Sequence, residues 1–249
     1  MTIFLIKLPF RMVLLGAVVI TSMMNAFAED TYEEKRQQMV AVIQQMMKMT
    51  ESSVGKASLN RQVVEAMMAV PRHKFVPPEN RSYAYENTAL PISHNQTISQ
   101  PYIVALMTDL AAVTSESVVL EVGTGSGYQA AVLSELVSHV YSIEIIEALG
   151  LQAKSLLQDL GYDNVTVKIG DGYHGWSEHA PFDAILVTAA AEHIPEQLIE
   201  QLKSGGRLII PVGEHHRTQS LRVLTKGPEG EIEQRDVLPV AFVPLTGKH

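Results

Sequence analysis

From Ser117 to about Leu202 the chain alternates between two rhythms of apolar and polar positions. Short apolar runs, Val118 to Leu120, Val140 to Ile145, Val165 to Ile169 and Phe182 to Val187, read as strands; they are too short for buried helices and rich in Val and Ile. Between them apolar residues recur three and four apart, which predicts helices over 126–137, 147–160 and 195–202. Such alternation implies an α/β fold, a Rossmann-like doubly wound sheet that is mostly parallel and covered by helices on both faces. After Gly205-Gly206 the rhythm changes. Arg207 to Val212, Ser220 to Thr225 and Ile232 to Val237 read as strands joined by turns, so the sheet should end in a C-terminal antiparallel pair.

Upstream of the alternation the pattern is helical. Residues Thr31 to Met49 place Met39, Val42, Ile43, Met46 and Met47 on one face, a docking stripe. A second helix is expected over Ser58 to Val70, stopped by Pro71. Pro71 to Leu90 reads as irregular, broken by Pro77-Pro78, and Pro101 suits the first turn of a helix reaching about Ala112. No linker divides the chain after residue 28. We read 29–249 as one domain, with N-terminal helices and a polar loop in 29–112 and the sheet in 113–249.

Residues 1–28 have a different character. Lys7 and Arg11 precede the apolar core Met12 to Ile20, and Ala26-Phe27-Ala28 forms a small-residue cleavage site before Glu29. This is the pattern of a secretory signal peptide. Its nine-residue core falls short of the ~20 residues that span a bilayer, so no stable membrane anchor is expected. Export, in bacteria to the periplasm, is the expectation; a cytoplasmic location follows if the signal is not used. Removing the segment takes the formal charge from −8 to −10. An acidic chain repels phosphate backbones, which argues against nucleic acid as a partner. The absence of cysteine excludes disulfides, a cysteine nucleophile and cysteine-ligated metal. The pairs His215-His216 and His174/His179 lack metal-motif spacing, and no metal is expected.

The chemistry concentrates at the carboxyl ends of the predicted strands. Val118 to Tyr128 runs from an apolar strand through Gly123, Gly125 and Gly127 into a helix. Such a turn lets backbone approach a ligand closely and aims free helix N–H groups at it, although a plain tight turn has the same composition. Glu144 closes the next strand, 17 positions after Gly127, where a carboxylate can accept two ribose hydroxyls or simply face solvent. Asp171, in Gly170-Asp-Gly172, sits where a third strand ends and can meet an adenine. Thr188-Ala-Ala-Ala191 follows the fourth strand. A polar loop, Ala89 to Tyr102, precedes the sheet, and Ser99 stands ready to cap the helix that begins near Pro101.

The ordered glycine turn, Glu144, Asp171 and Thr188 resemble a class I S-adenosylmethionine-dependent methyltransferase. Val70-Pro-Arg-His-Lys-Phe75, Ala89-Leu-Pro-Ile92, Gln96-Thr-Ile-Ser-Gln-Pro-Tyr102, Leu202-Lys-Ser-Gly-Gly-Arg-Leu208, Pro211-Val-Gly213 and Val243-Pro-Leu-Thr246 narrow the resemblance to protein-L-isoaspartate O-methyltransferases. That resemblance covers most of the chain from Ser58 on. It implies methylation of the α-carboxylate of L-isoaspartyl residues in damaged proteins, with repair through a succinimide. It also implies Ser99 as the active-site serine and S-adenosyl-L-methionine as cofactor. Gly123, Thr124, Gly125, Gly127, Glu144, Asp171, Gly172, Thr188 and Ala189 would hold the cofactor; Ile92, Ser93, Gln96, Thr97, Val212 and Gly213 would line the peptide groove. The chain departs from the family where Ser93 and Asn95 replace two loop glycines. Asn95 tolerates a left-handed backbone, Ser93 less so.

The residue types suit the reaction. A carboxylate is already ionised at neutral pH, its reference pKa being about 4, so methyl transfer needs no general base. It needs alignment in a dry site, and a neutral hydroxyl orients the nucleophile without blunting it. The expected partners are isoaspartyl proteins and peptides, with the enzyme a monomer. Two other readings fit the residues: a methyltransferase of the same fold with another carboxylate or small-molecule acceptor, and a non-catalytic binder of altered aspartyl peptides.

Overall fold

The structure, a computed structural model, describes residues 31–214 and 217–247. The expected signal peptide and the His215-His216 pair lie outside those residues. Helix α1 covers 31–49, followed by α2 (Glu51–Val54) and α3 (Arg61–Ala69). On α1 the buried residues are Met39, Val40, Ile43 and Met47, while Val42 is 41% exposed. At 3.6 residues per turn, four-residue steps from Met39 to Met47 drift toward Val40 and away from Val42. Among the described residues no helix is long and apolar enough to cross a membrane.

Helix α4 (Pro101–Leu110) is buried at all ten positions and starts, as expected, with proline in its first turn. The expected cap differs. Gln100, not Ser99, flanks the helix, and neither supplies a side-chain cap. Pro101 has no N–H, so the first donor needing a partner is that of Tyr102, and Asn87 Oδ1 accepts it at 3.0 Å. At the other end Asp109 accepts from the Asn60 N–H at 2.7 Å and from Lys56 Nζ at 2.6 Å. This buried carboxylate fixes the start of α3 to the end of α4.

Short hairpin strands β1 (Leu90–Pro91) and β2 (Thr97–Ile98) pair antiparallel ahead of α4. The main sheet contains β3 (Val118–Val122), β4 (His139–Glu144), β5 (Val165–Ile169), β6 (Phe182–Val187), β7 (Leu202–Val212), β8 (Gln219–Lys226) and β9 (Ile232–Val240), ordered β5-β4-β3-β6-β7-β8-β9. The first five run parallel, and β8 lies antiparallel between β7 and β9. Helices α5 (Tyr128–Ser134), α6 (Glu147–Asp159) and α7 (Glu196–Glu200) follow β3, β4 and β6.

The helix expected to reach residue 202 ends at Glu200, and β7 begins five residues before Arg207. Phe182 pairs with Leu202 and Ala184 with Arg207, so Gly205-Gly206 lies in a bulge inside the strand. A bulge accommodates extra residues without ending the pairing. One apolar cluster, from Met39 on α1 through Leu106 and Leu133 to Val240, covers one face of the sheet. Leu120, Ile143, Phe182, Ile185 and Trp176 pack on the other. Strand order reverses between β3 and β6, and the crevice at that switch opens where the carboxyl ends of β3, β4, β5 and β6 meet.

Candidate active site

The turn after β3 occupies the switch point. Gly123, Gly125 and Gly127 have φ of 99°, 53° and 87°, left-handed at every second residue. Gly123 must also be small, because an added Cβ would overlap the Thr188 hydroxyl. That hydroxyl donates to the Gly123 carbonyl at 2.5 Å and to that of Val122 at 3.1 Å, tying the end of β6 to the turn. At Gly125 an added Cβ would meet only Ile92 at 3.9 Å, so a side chain there would project into open cavity.

Glu144, 5% exposed, braces the turn: Oε2 accepts the Gly125 N–H at 2.8 Å and Oε1 that of Ile146 at 2.9 Å. Asp171 accepts the Tyr173 N–H at 3.0 Å, and Gly247 packs directly on its carboxylate. Gly172 lies so close to Val122 that any side chain would overlap it. A small cavity of about 70 Å³ joins Gly123, Gly125, Glu144, Gly172, Thr188 and Ala189, closed on one side by Val243 to Thr246. Thr124 is turned inward, its hydroxyl 2.5 Å from Ser142 Oγ. The Ser142 hydroxyl in turn donates to Glu121, which is fully buried. Burial raises the Glu121 pKa to about 8, partly offset by the Ser142 hydrogen bond and reinforced by the nearby charge of Glu144.

A wider cleft of about 1140 Å³ lies beside this cavity, between Thr97, Ser99 and Gln100 on one wall and Arg217 and Phe242 on the other. Thr97 and Thr188 line both cavities, so the two meet there. Ser99 faces the cleft and also a 30 Å³ cavity against Gly123 to Ser126. Its carbonyl accepts from the buried Arg72 at 2.8 Å. The structure thus brings Ser99 and Thr97 together with the glycine turn, and Gln96 joins the small cavity beside it. Ile92 and Ser93 line a separate 720 Å³ groove on the far side of Gly125. Val212 and Gly213 fall outside the lining of the cleft; Ala191 pairs with Val212 and accepts the Gly213 N–H at 3.0 Å.

The substituted loop is a tight hairpin turn. His94 and Asn95 carry φ of 58° and 57°, so the left-handed positions are these two, while Ser93 precedes them. The Ile92 N–H donates to the Gln96 carbonyl at 2.9 Å, closing the hairpin without a glycine. Residues that the sequence pattern did not single out also shape the site: Arg72, Asn87, Glu121, Arg217 and Phe242. Of these, Arg72 lies in the Val70 to Phe75 motif, and Glu121 carries a local signal as an acidic residue inside an apolar strand.

The profile of the protein-L-isoaspartate(D-aspartate) O-methyltransferase family matches residues 38–249. The chain belongs to that family. It is 60% identical to a protein-L-isoaspartate O-methyltransferase 2 of Syntrophobacter fumaroxidans over 222 residues, covering 89% of this chain and 90% of that one. It is also 60% identical to one from Polaromonas over 210 residues, 84% of this chain and all of the other. A solved protein-L-isoaspartate O-methyltransferase superposes with a TM-score of 0.73 at 29% identity, covering 85% of this chain and 66% of that chain. A Plasmodium falciparum protein described as such an enzyme, solved with S-adenosyl-L-homocysteine, gives 0.65 at 28% identity, covering 75% and 91%.

The chain is therefore a carboxyl methyltransferase that uses S-adenosyl-L-methionine. Its residues fit that cofactor. The turn leaves open space at Gly125, and Glu144 is an acidic acceptor at the tip of β4. Replacing Glu144 by alanine removes both the acceptor and the brace on Gly125. The expected result is a loss of about 1–3 kcal/mol in binding of S-adenosylhomocysteine, read by calorimetry. Unchanged affinity would return Glu144 to a purely structural role.

Proposed function

We propose that the protein methylates the α-carboxylate of L-isoaspartyl residues, as an exported monomer, with Ser99 orienting the acceptor. The junction at Thr97 and Thr188 carries this reading, because a cleft of peptide dimensions opens there onto the cofactor-side cavity. When bound, S-adenosylmethionine supplies an electrophilic methyl group. The chain itself has to bring a carboxylate into line with it and exclude water. In this reading the Ser99 hydroxyl donates to that carboxylate, while the Ser99 carbonyl accepts from Arg72. No residue has to remove a proton, since the acceptor is already ionised.

The direct test is transfer of labelled methyl to an isoaspartyl peptide beside its aspartyl twin. Label on the isoaspartyl peptide alone is expected; label on both, or on neither, would overturn the reading. Ser99→Ala should slow single turnover roughly 10- to 150-fold, the effect of one hydrogen bond to a charged group, with cofactor affinity nearly intact. A variant with normal turnover would remove Ser99 from the chemistry.

Export rests on Lys7, Arg11, the Met12–Ile20 core and Ala26-Phe-Ala28. Protein recovered from the periplasm should begin at Glu29. An intact Met1 on cytoplasmic protein would exclude it.

A further inference from the structure

The cleft beside Ser99 is lined by hydroxyl, amide and apolar side chains, and among the described residues Arg217 is its one charged group. It belongs to a protein whose net charge is −8, which on its own disfavours anionic peptides. The Arg217 N–H donates to the Glu214 carbonyl at 3.1 Å, and Arg217 Nε lies 3.1 Å from Glu214 Oε2. Two residues on, buried Gln219 ties the chain to Phe242 on the same wall: its Oε1 accepts from the Phe242 N–H at 2.6 Å, and its Nε2 donates to the Phe242 carbonyl at 3.2 Å. Gln219 is therefore fixed to Phe242, and Arg217, two residues before it, lines the cleft with an exposed side chain.

Glu214 Oε2 approaches the guanidinium at Nε, and the pair is exposed, at 76% and 67%. Exposed pairs of this kind contribute little and are readily exchanged for another carboxylate. The two Nη groups form a planar fork suited to bidentate carboxylate binding. The carboxylate that becomes methylated is a poor candidate partner. A guanidinium on it would hold the lone pairs it needs for attack, and Arg217 does not line the cavity against the glycine turn.

We propose that Arg217 is a specificity-determining residue that binds the side-chain carboxylate of an acidic residue flanking the isoaspartyl position. Glu214 acts as its intramolecular competitor. The inference rests on the isoaspartyl reading above and adds the class of peptide preferred.

The test compares C-terminally amidated isoaspartyl peptides carrying Glu, Gln or Lys at one or two residues to either side, assayed with the wild-type enzyme, Arg217→Gln and Glu214→Gln. At the best flanking position the wild type should favour Glu over Gln roughly three- to tenfold in kcat/KM, through KM, with Lys disfavoured. Arg217→Gln should bring the Glu/Gln ratio to about one, the larger loss falling on the Glu peptide. Glu214→Gln should raise the ratio. The Gln peptide with a free terminal carboxylate separates that group from a side-chain one; an advantage that follows only the terminus overturns the proposal. So does a Glu/Gln ratio that survives in Arg217→Gln, or an equal loss on all peptides. Failure of the wild type on the Gln peptide would instead count against the isoaspartyl reading itself.

Discussion

Arg72→Met should slow methyl transfer about 100-fold and lower the unfolding free energy by about 2–3 kcal/mol. Arg72 is fully buried, and among the described residues the titratable groups that act on its charge are Tyr128 and Tyr85 rather than a carboxylate. Its Nε donates to the Ala84 carbonyl and its Nη2 to that of Ser99, each at 2.8 Å, and the guanidinium lies 4.7 Å from the centre of the Tyr128 ring. One side chain thus joins the irregular segment before the hairpin, the Ser99 backbone and the first residue of α5. Burial pushes its pKa down to about 10, which shows that the charge is costly here. Methionine is close in volume and removes that cost. It also leaves two buried carbonyls without donors, at about 1–3 kcal/mol each, and removes the cation–π contact. The carbonyl losses outweigh the relief, and the net change remains destabilising.

The rate effect follows from geometry. Without its anchor the Ser99 backbone is free to shift, and a displacement of about 1 Å at an aligning residue can cost on the order of 100-fold. Arg72→Lys keeps the charge but not the fork, so it should recover stability better than rate. Thermal unfolding and single-turnover rates on both variants read the two effects. A methionine variant with full turnover would show that Ser99 needs no anchor.

Arg72 also marks where sequence reading stops. The motif containing it was visible, but its partners lie 12 and 27 residues away and are backbone carbonyls, which leave no trace in composition. The glycine turn and Glu144 were legible because their requirements are local: left-handed backbone at alternate residues and an acidic tip on the adjacent strand. Ser99 was read as a helix cap on equally local grounds. Asn87, from across the loop, reached the Tyr102 N–H instead. The strands β5 and β6 were placed to the residue by their apolar patterns, whereas β7 was cut short because Gly205-Gly206 looks like a terminator until its bulge is seen. Arg217 belongs to the same class as Arg72. Nothing in Gly213 to Gln219 says which wall of the cleft the loop will meet.

Glu121 should make the enzyme lose stability as pH rises, by about 3–5 kcal/mol across the window from 4.5 to 8. The sign follows from linkage. Its carboxyl titrates near 4.5 in the open chain and at about 8 when folded, so between these values the native state binds the extra proton. The stabilisation is therefore complete below 4.5 and is withdrawn as pH climbs through 8, after which the contribution levels off. The same titration reverses a short hydrogen-bond chain. When Glu121 is ionised, Thr124 donates to Ser142 and Ser142 to Glu121; when it is protonated, both bonds can run the other way, ending on Thr124 in the glycine turn. Glu121→Gln removes the titration while keeping an acceptor for Ser142. Denaturant midpoints of the two proteins should diverge with rising pH, the variant gaining relative to wild type up to about pH 8. The difference between the curves isolates Glu121 from every other titrating group. Parallel curves across that range would mean that the buried carboxyl is already ionised, and that Ser142 and the surrounding dipoles sustain its charge.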